Sequence, residues 1–356
     1  MAFTTPQSAP SRWPYYGIYL ALSAVALYHM RLGPPSQLTG KVLEPLMTSS
    51  APFNYPGRPT TIMRRHYTGI SGLDGFLSIL VTAFLSGSAG FQKHIQIQQV
   101  NFLVAFAPVM LVFSIESVRT RKWSLVVFTS LWASLYQTVG GAVVIPLYFI
   151  AHSLTFNKPT GARLVPTNWA KTLLPSIILG YLLPTALMYY PFANIEHTML
   201  ATAFWQPSPV LVNITWFILS RFASSVGSPT PHLKAAIAIV GLIAAAGHVG
   251  TLYACISDRY PSVTLSSIFL PTVGSSPSFE AATHFIFQID YAVIFAATSV
   301  WCAQTFAEDR ARAGKKQGSA LVDAVNVLLS TAVVGPGATL AWVWYGRQGK
   351  ELGKRE

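Results

Sequence analysis

The chain has 356 residues, 52% of them hydrophobic and only 10% charged, and its mean hydropathy is +0.45. A soluble domain carries charge on about a quarter of its residues, so a water-soluble globule is excluded. The net charge of +12 comes in short basic clusters between apolar runs, such as Arg119, Arg121 and Lys122, or Arg310, Arg312, Lys315 and Lys316. That placement suits lipid headgroups and argues against nucleic acid as a partner.

Apolar runs of roughly 17–25 residues match a hydrocarbon core about 30 Å thick. They are continuous rather than alternating, which favours helices over a barrel. The expectation is an all-α, polytopic transmembrane helical bundle forming a single integral-membrane domain over residues 1–356. In chain order its spans fall near 15–32, 68–90, 100–117, 124–152, 172–192, 199–220, 235–257, 283–305 and 321–345. That makes nine, or eight if Gln206-Pro207-Ser208-Pro209 breaks the sixth. The first run begins near Tyr15 behind a single Arg12 and reads as a retained helix, not a cleaved signal.

Linkers are rich in turn residues: Gly33-Pro34-Pro35, Asn54-Tyr55-Pro56-Gly57, Asn157-Lys158-Pro159 and Ser228-Pro229-Thr230-Pro231. Two connections, 33–67 and 258–282, are long. With nine spans the two sides carry 11 and 13 Lys and Arg residues, so the positive-inside rule gives no orientation. Cys255 and Cys302 both fall in apolar runs, and neither a disulfide framework nor a thiolate metal site follows from them.

The acids are distributed unevenly. Alternating direction through nine spans puts Asp74, Glu116, Asp258 and Asp290 at one membrane face, together with Glu44, Glu196, Glu280 and both long loops. Glu308, Asp309 and Asp323 fall opposite. A carboxylate in hydrocarbon costs roughly 2.5–3.5 kcal/mol, so such groups persist where they pair, face the bundle interior or do chemistry. In an apolar site a carboxyl group stays neutral and can donate a proton near pH 7. Glu116 has Arg119 one turn away for a local ion pair, Asp74 can sit among headgroups, and Asp258 precedes Arg259 at a helix end. Asp290 is deepest in its span and has no basic neighbour in sequence, which marks it for function.

Aromatics make up 13% of the chain; many suit the membrane interfaces, but Trp132, Tyr136, Tyr148, Phe285, Tyr291 and Trp301 fall mid-span. Ring faces stabilise a desolvated cation by about 2 kcal/mol or more. Apolar walls with a few acids therefore suit carbocation chemistry, or a passive lipid groove. No span carries closely clustered acids of the Mg²⁺–diphosphate kind. The eight histidines are scattered, with no i, i+4 pair, and no Walker, Gly-x-Gly-x-x-Gly or Gly-x-Ser-x-Gly motif occurs. The expectation is no metal and no cofactor, which leaves acid chemistry, transport or binding.

Several stretches carry a family resemblance. Tyr67-Thr68-Gly69-Ile70 with Leu73-Asp74, Ile115-Glu116-Ser117-Val118-Arg119, and the run from Gln137-Thr138-Val139-Gly140-Gly141 to Tyr148-Phe149 are three of them. Gln288-Ile289-Asp290-Tyr291 and the ending from Gly335-Pro336-Gly337-Ala338 to Trp344 complete the set. With these, the chain resembles the fungal integral-membrane terpene cyclases of meroterpenoid pathways, the group linked with ascochlorin, ascofuranone and macrophorin-type products.

The resemblance implies cyclisation of a prenyl chain, often farnesyl, on an aromatic head, at the endoplasmic reticulum membrane. An acid protonates a terminal epoxide or olefin, and rings close on the resulting cation; no diphosphate leaves. By motif position the resemblance makes Asp290, Glu116 and Asp74 the catalytic candidates, as proton donor, partner and final base in an order it does not fix. Tyr136, Gln137, Tyr148, Phe285, Gln288, Tyr291, Trp301 and Asp258 are the substrate-binding candidates. The rival expectations are a transporter of a hydrophobic small molecule, since intramembrane acids also mark proton relays, and a membrane scaffold.

Overall fold

Prolines open helices and glycines reverse the chain in this protein. Pro14, Pro34, Pro209, Pro229 and Pro336 all stand in first helical turns, where a missing N–H costs nothing. The computed structural model describes residues 11–47, 53–55, 58–120, 124–156, 164–273, 277–312 and 320–350. The linker residues Pro56-Gly57 and Asn157-Lys158-Pro159 and the basic residues Arg121, Lys122, Lys315 and Lys316 lie outside the described residues.

The chain begins with α1 (Trp13–Leu27), which runs on through a wider turn at Tyr28–Leu32, and α2 (Pro34–Leu43). A short antiparallel hairpin, β1 (Phe53–Tyr55) and β2 (Arg58–Thr61), leads to α3 (Ser71–Ser88) and α4 (Lys93–Arg119). Then come α5 (Thr129–Val139), α6 (Gly141–Thr155), α7 (Thr167–Ile177), α8 (Leu183–Met188), α9 (Ile195–Trp205) and α10 (Ser208–Phe222). The chain ends with α11 (Pro229–Ile256), α12 (Leu265–Phe269), α13 (Phe279–Arg312), α14 (Ala320–Val334) and α15 (Pro336–Lys350). The fold is a helical bundle. One large apolar core joins most helices, and a smaller one packs Phe53 and Tyr55 of the hairpin against α3 and α9.

Five helices are long and apolar enough to cross a membrane: Ser71–Ser88, Lys93–Arg119, Thr167–Met188, Pro229–Ile256 and Phe279–Ala311. Gly141–Thr155 and Leu321–Val334 are apolar but shorter. Five of the nine expected crossings thus meet that length and composition among the described residues.

The expected span 124–152 is not one helix. Gly140 has φ +115°, a conformation open to glycine and strained for other residues, and there the chain doubles back. Trp132 of α5 packs edge-on against Tyr148 of α6, ring centroids 5.4 Å apart, and the two residues are equidistant in sequence from Gly140. The α5–α6 pair is therefore an antiparallel hairpin with its tip inside the bundle.

Relative to α4, this hairpin reverses the direction expected of α13, whereas α13 keeps the antiparallel run to α1 that nine crossings imply, with Arg12 at Glu308 and Tyr19 at Gln304. As a result α4 and α13 run parallel: Gln98 donates to the Phe287 carbonyl (3.3 Å), Phe102 meets Tyr291 (5.9 Å) and Phe113 meets Trp301 (6.3 Å). Glu116 stands at the end of α4 and Asp290 about three turns into α13, so they lie roughly 20 Å apart along the bundle. The common face inferred for Asp74, Glu116, Asp258 and Asp290 is corrected on this point. Glu116 belongs instead to the end that holds the Arg12–Glu308 and Arg310–Asp323 pairs.

Candidate active site at a broken helix

A helix that ends inside a membrane protein exposes backbone groups that lipid cannot satisfy. Both ends at the Gly140 break are met by ionisable side chains from other elements. The Arg31 guanidinium, carried on the wide turn after α1, donates from Nη2 to the Thr138 carbonyl at the end of α5 (3.1 Å). The Asp290 carboxylate accepts through Oδ1 from the Ala142 N–H in the first turn of α6 (2.6 Å). A cationic donor at a helix C-terminus and a carboxyl acceptor at an N-terminus match the polarity of each end. The glycines make the approach feasible. A Cβ on Gly140 would lie 2.8 Å from Met30 Cε, and one on Gly141 would lie 2.6 Å from Ile294 Cδ1.

Beside the break lies a cavity of about 220 Å³. Its polar lining is Arg31, Thr39, Gln137, Thr283 and Asp290. Its apolar wall includes Phe84, Phe102, Phe106, Tyr136, Tyr181, Trp205 and Phe287. The rings brace one another: Phe106 on Tyr136 at 5.4 Å, Phe84 on Phe287 at 4.7 Å and on Trp205 at 5.4 Å. Tyr181 donates to the Leu103 carbonyl and Trp205 Nε1 to Thr185 Oγ1, which fixes both rings. Gln137 is held by Gln206 at 2.9 Å. An apolar chamber with one carboxyl group and several π faces can deliver a proton and shelter the cation that results.

Of the residues expected at the site, the cavity brings together Asp290, Tyr136 and Gln137. Glu116 lies in a separate buried ionic knot: Oε1 accepts from Arg119 Nη1 (3.1 Å) and Trp344 Nε1 (2.8 Å), and Oε2 faces His152 Nε2 (3.2 Å). Tyr148 and Trp301 belong to that half, where Tyr148 stacks on Phe113 and Trp301 on Phe149. Asp74 anchors its own turn. It accepts from the Tyr67, Thr68 and Gly69 N–H groups and from the Thr68 hydroxyl.

Phe285 packs against His29. Gln288 donates to the Ser267 carbonyl of α12, and Tyr291 sits among Phe102, Phe269 and Phe295. Asp258 is exposed after α11.

Sequence reasoning passed over Arg31 and the ring wall of Phe102, Phe106, Tyr181 and Trp205. The double glycine inside an apolar run was a usable signal for the break. Nothing in the sequence ties Arg31 to a hairpin more than 100 residues later. Among the described residues, no three His, Cys, Asp or Glu side chains gather where they could share a metal ion.

Comparison with known proteins adds a family. The CtvD domain model matches residues 37–349. The chain is 29% identical to terpene cyclase ascI of Acremonium egyptiacum over 255 residues, 66% of each chain. It is 28% identical to terpene cyclase janA of Penicillium janthinellum over 250 residues, 67% of this chain and 69% of that one. A third relative, FAD-dependent monooxygenase verC1 of Penicillium polonicum, is 25% identical over 92% of this chain, which spans only 41% of that protein. No solved structure matches. A family match over most of the chain settles membership, beside fungal relatives named terpene cyclases: this protein belongs to the CtvD-domain family.

Proposed function

We propose that this protein is a terpene cyclase of the endoplasmic reticulum membrane, acting on a farnesyl-type chain attached to an aromatic head and opening a terminal epoxide by acid catalysis. The observation that carries this reading is the single carboxyl group of Asp290, set at the helix break in a chamber walled by aromatic rings. Asp290 gives its proton to the epoxide oxygen as the C–O bond breaks. The neighbouring olefin supplies the π pair that forms the new C–C bond, and the cation moves along the chain. Loss of a proton from the last cation returns it to the carboxylate, so the product has the mass of the substrate. No diphosphate departs in this scheme, and no step calls for a metal.

Several features support the reading. The Ala142 N–H and the N-terminus of α6 stabilise the negative charge that develops on Asp290 as its proton leaves. The chamber of about 220 Å³ is below the usual 300–1,000 Å³ range of whole-ligand pockets, a size suited to the reacting end of a chain with water expelled. One relative is named a monooxygenase, the enzyme class that makes epoxides. Glu116 and Asp74, bound up in their own ionic knot and turn, take structural parts in this proposal.

The test is incubation of membranes bearing the protein with a farnesylated aromatic epoxide. A cyclic product of unchanged mass supports the reading. Uptake without conversion would support a transporter instead and overturn it.

A further inference from the structure

We propose that Arg31 is a second catalytic residue, whose guanidinium donates hydrogen bonds to the same substrate oxygen that Asp290 protonates. The assignment rests on the cyclase reading above and deepens it.

Arg31 and Asp290 line one cavity and approach the Gly140 break from opposite sides. Nη2 of Arg31 lies 3.7 Å from where a Cβ on Gly140 would stand, and Oδ1 of Asp290 lies 3.4 Å from the same point on Gly141. The guanidinium and the carboxyl group are thus neighbours across the break, yet no salt bridge within 4 Å forms between them among the described residues. Arg31 spends one N–H on the Thr138 carbonyl and one on the Met30 carbonyl (3.0 Å). Both acceptors are neutral. A guanidinium has five N–H donors, so three remain. Arg31 is exposed and also lines the cavity it shares with Asp290, so those donors can meet a ligand that enters there.

A ligand oxygen between the two groups satisfies both. In the opening step the electron pair of the breaking C–O bond moves onto the epoxide oxygen, and the Asp290 proton joins it to give a hydroxyl. Arg31 transfers no proton; its N–H groups stabilise charge on that oxygen while it builds up. Arginine suits this better than lysine, because the planar fork can hold the Thr138 carbonyl and the substrate oxygen together.

The plain alternative is that Arg31 only caps α5. The experiment compares the wild type with Arg31→Gln, Arg31→Lys, Arg31→Ala and Asp290→Asn, each scored as cyclisation rate per folded molecule beside its thermal midpoint. For Arg31→Gln we expect kcat to fall about 100-fold with KM little changed, Arg31→Lys to recover part of that loss, and added guanidinium ion to restore turnover to Arg31→Ala. If Arg31→Gln loses thermal stability but each folded molecule cyclises at the wild-type rate, Arg31 is a cap and the assignment falls while the cyclase reading stands. If the wild type itself forms no cyclic product from the epoxide, the cyclase reading fails and the Arg31 role goes with it.

Discussion

Arg31 and Asp290 hold the two ends of one interrupted helix: the guanidinium donates to the Thr138 carbonyl of α5, and the Asp290 carboxyl group accepts from the Ala142 N–H of α6. A cationic donor on one helix end and a carboxyl acceptor on the other stabilise a chain reversal inside the bundle that hydropathy alone reads as a crossing. The same reversal places both groups beside the cavity.

The break depends on Gly140. Gly140→Ala forces a side chain into φ +115° and brings its Cβ within 2.8 Å of Met30 Cε. Backbone strain of this kind costs on the order of 1–3 kcal/mol. The expected outcome is a lower thermal midpoint in detergent together with reduced cyclisation, because the Arg31 and Asp290 anchors shift with the hairpin tip.

Asp290→Asn separates structure from chemistry. An amide oxygen can still accept from the Ala142 N–H, so the fold should hold, but the acidic proton is gone. Turnover should fall by about 10²–10⁴-fold, the usual contribution of a general acid. Product formation measured by mass spectrometry, with a melting curve as control, checks both halves.

The Glu116 knot calls for a different outcome. Glu116→Gln removes the buried carboxylate that Arg119 and His152 face, and breaking a buried ion pair costs about 3–5 kcal/mol. Glu116→Gln combined with Arg119→Met should recover part of that stability. Molecules that do fold should cyclise normally, since Glu116 lies roughly 20 Å from Asp290. A folded Glu116→Gln protein without activity would return Glu116 to the catalytic set.

Asp74→Asn should loosen the turn at residues 66–70. The amide replaces an acceptor with N–H groups that point at N–H donors of the backbone. Faster proteolysis in that turn and a lower thermal midpoint, at an unchanged cyclisation rate per folded molecule, are the expected readouts.

How much of this was legible beforehand differs from element to element. Long apolar helices such as α4, α11 and α13 announce themselves, because a bilayer demands continuous hydrophobic length. Asp290 could be singled out because a lone carboxyl deep in such a run has no cheap structural explanation. Glu116 looked equivalent, and its i, i+3 Arg119 was the visible hint of an ion pair; the His152 and Trp344 partners that complete the knot come from distant helices. That α13 runs parallel to α4 could not be read at all. It hinges on one backbone angle at Gly140, and hydropathy sums over side chains without sensing such an angle.

The sequence by itself determined that this is a helical membrane protein, which family it resembles, and that Asp290 needs a reason to exist, since each of these follows from composition or from short contiguous motifs. The tertiary structure alone decided which groups share a chamber. Arg31, Gln137 and Asp290 come from three separate stretches of chain, and only the packing of α1, α5 and α13 around a reversed helix brings a cation, an amide and an acid to one place.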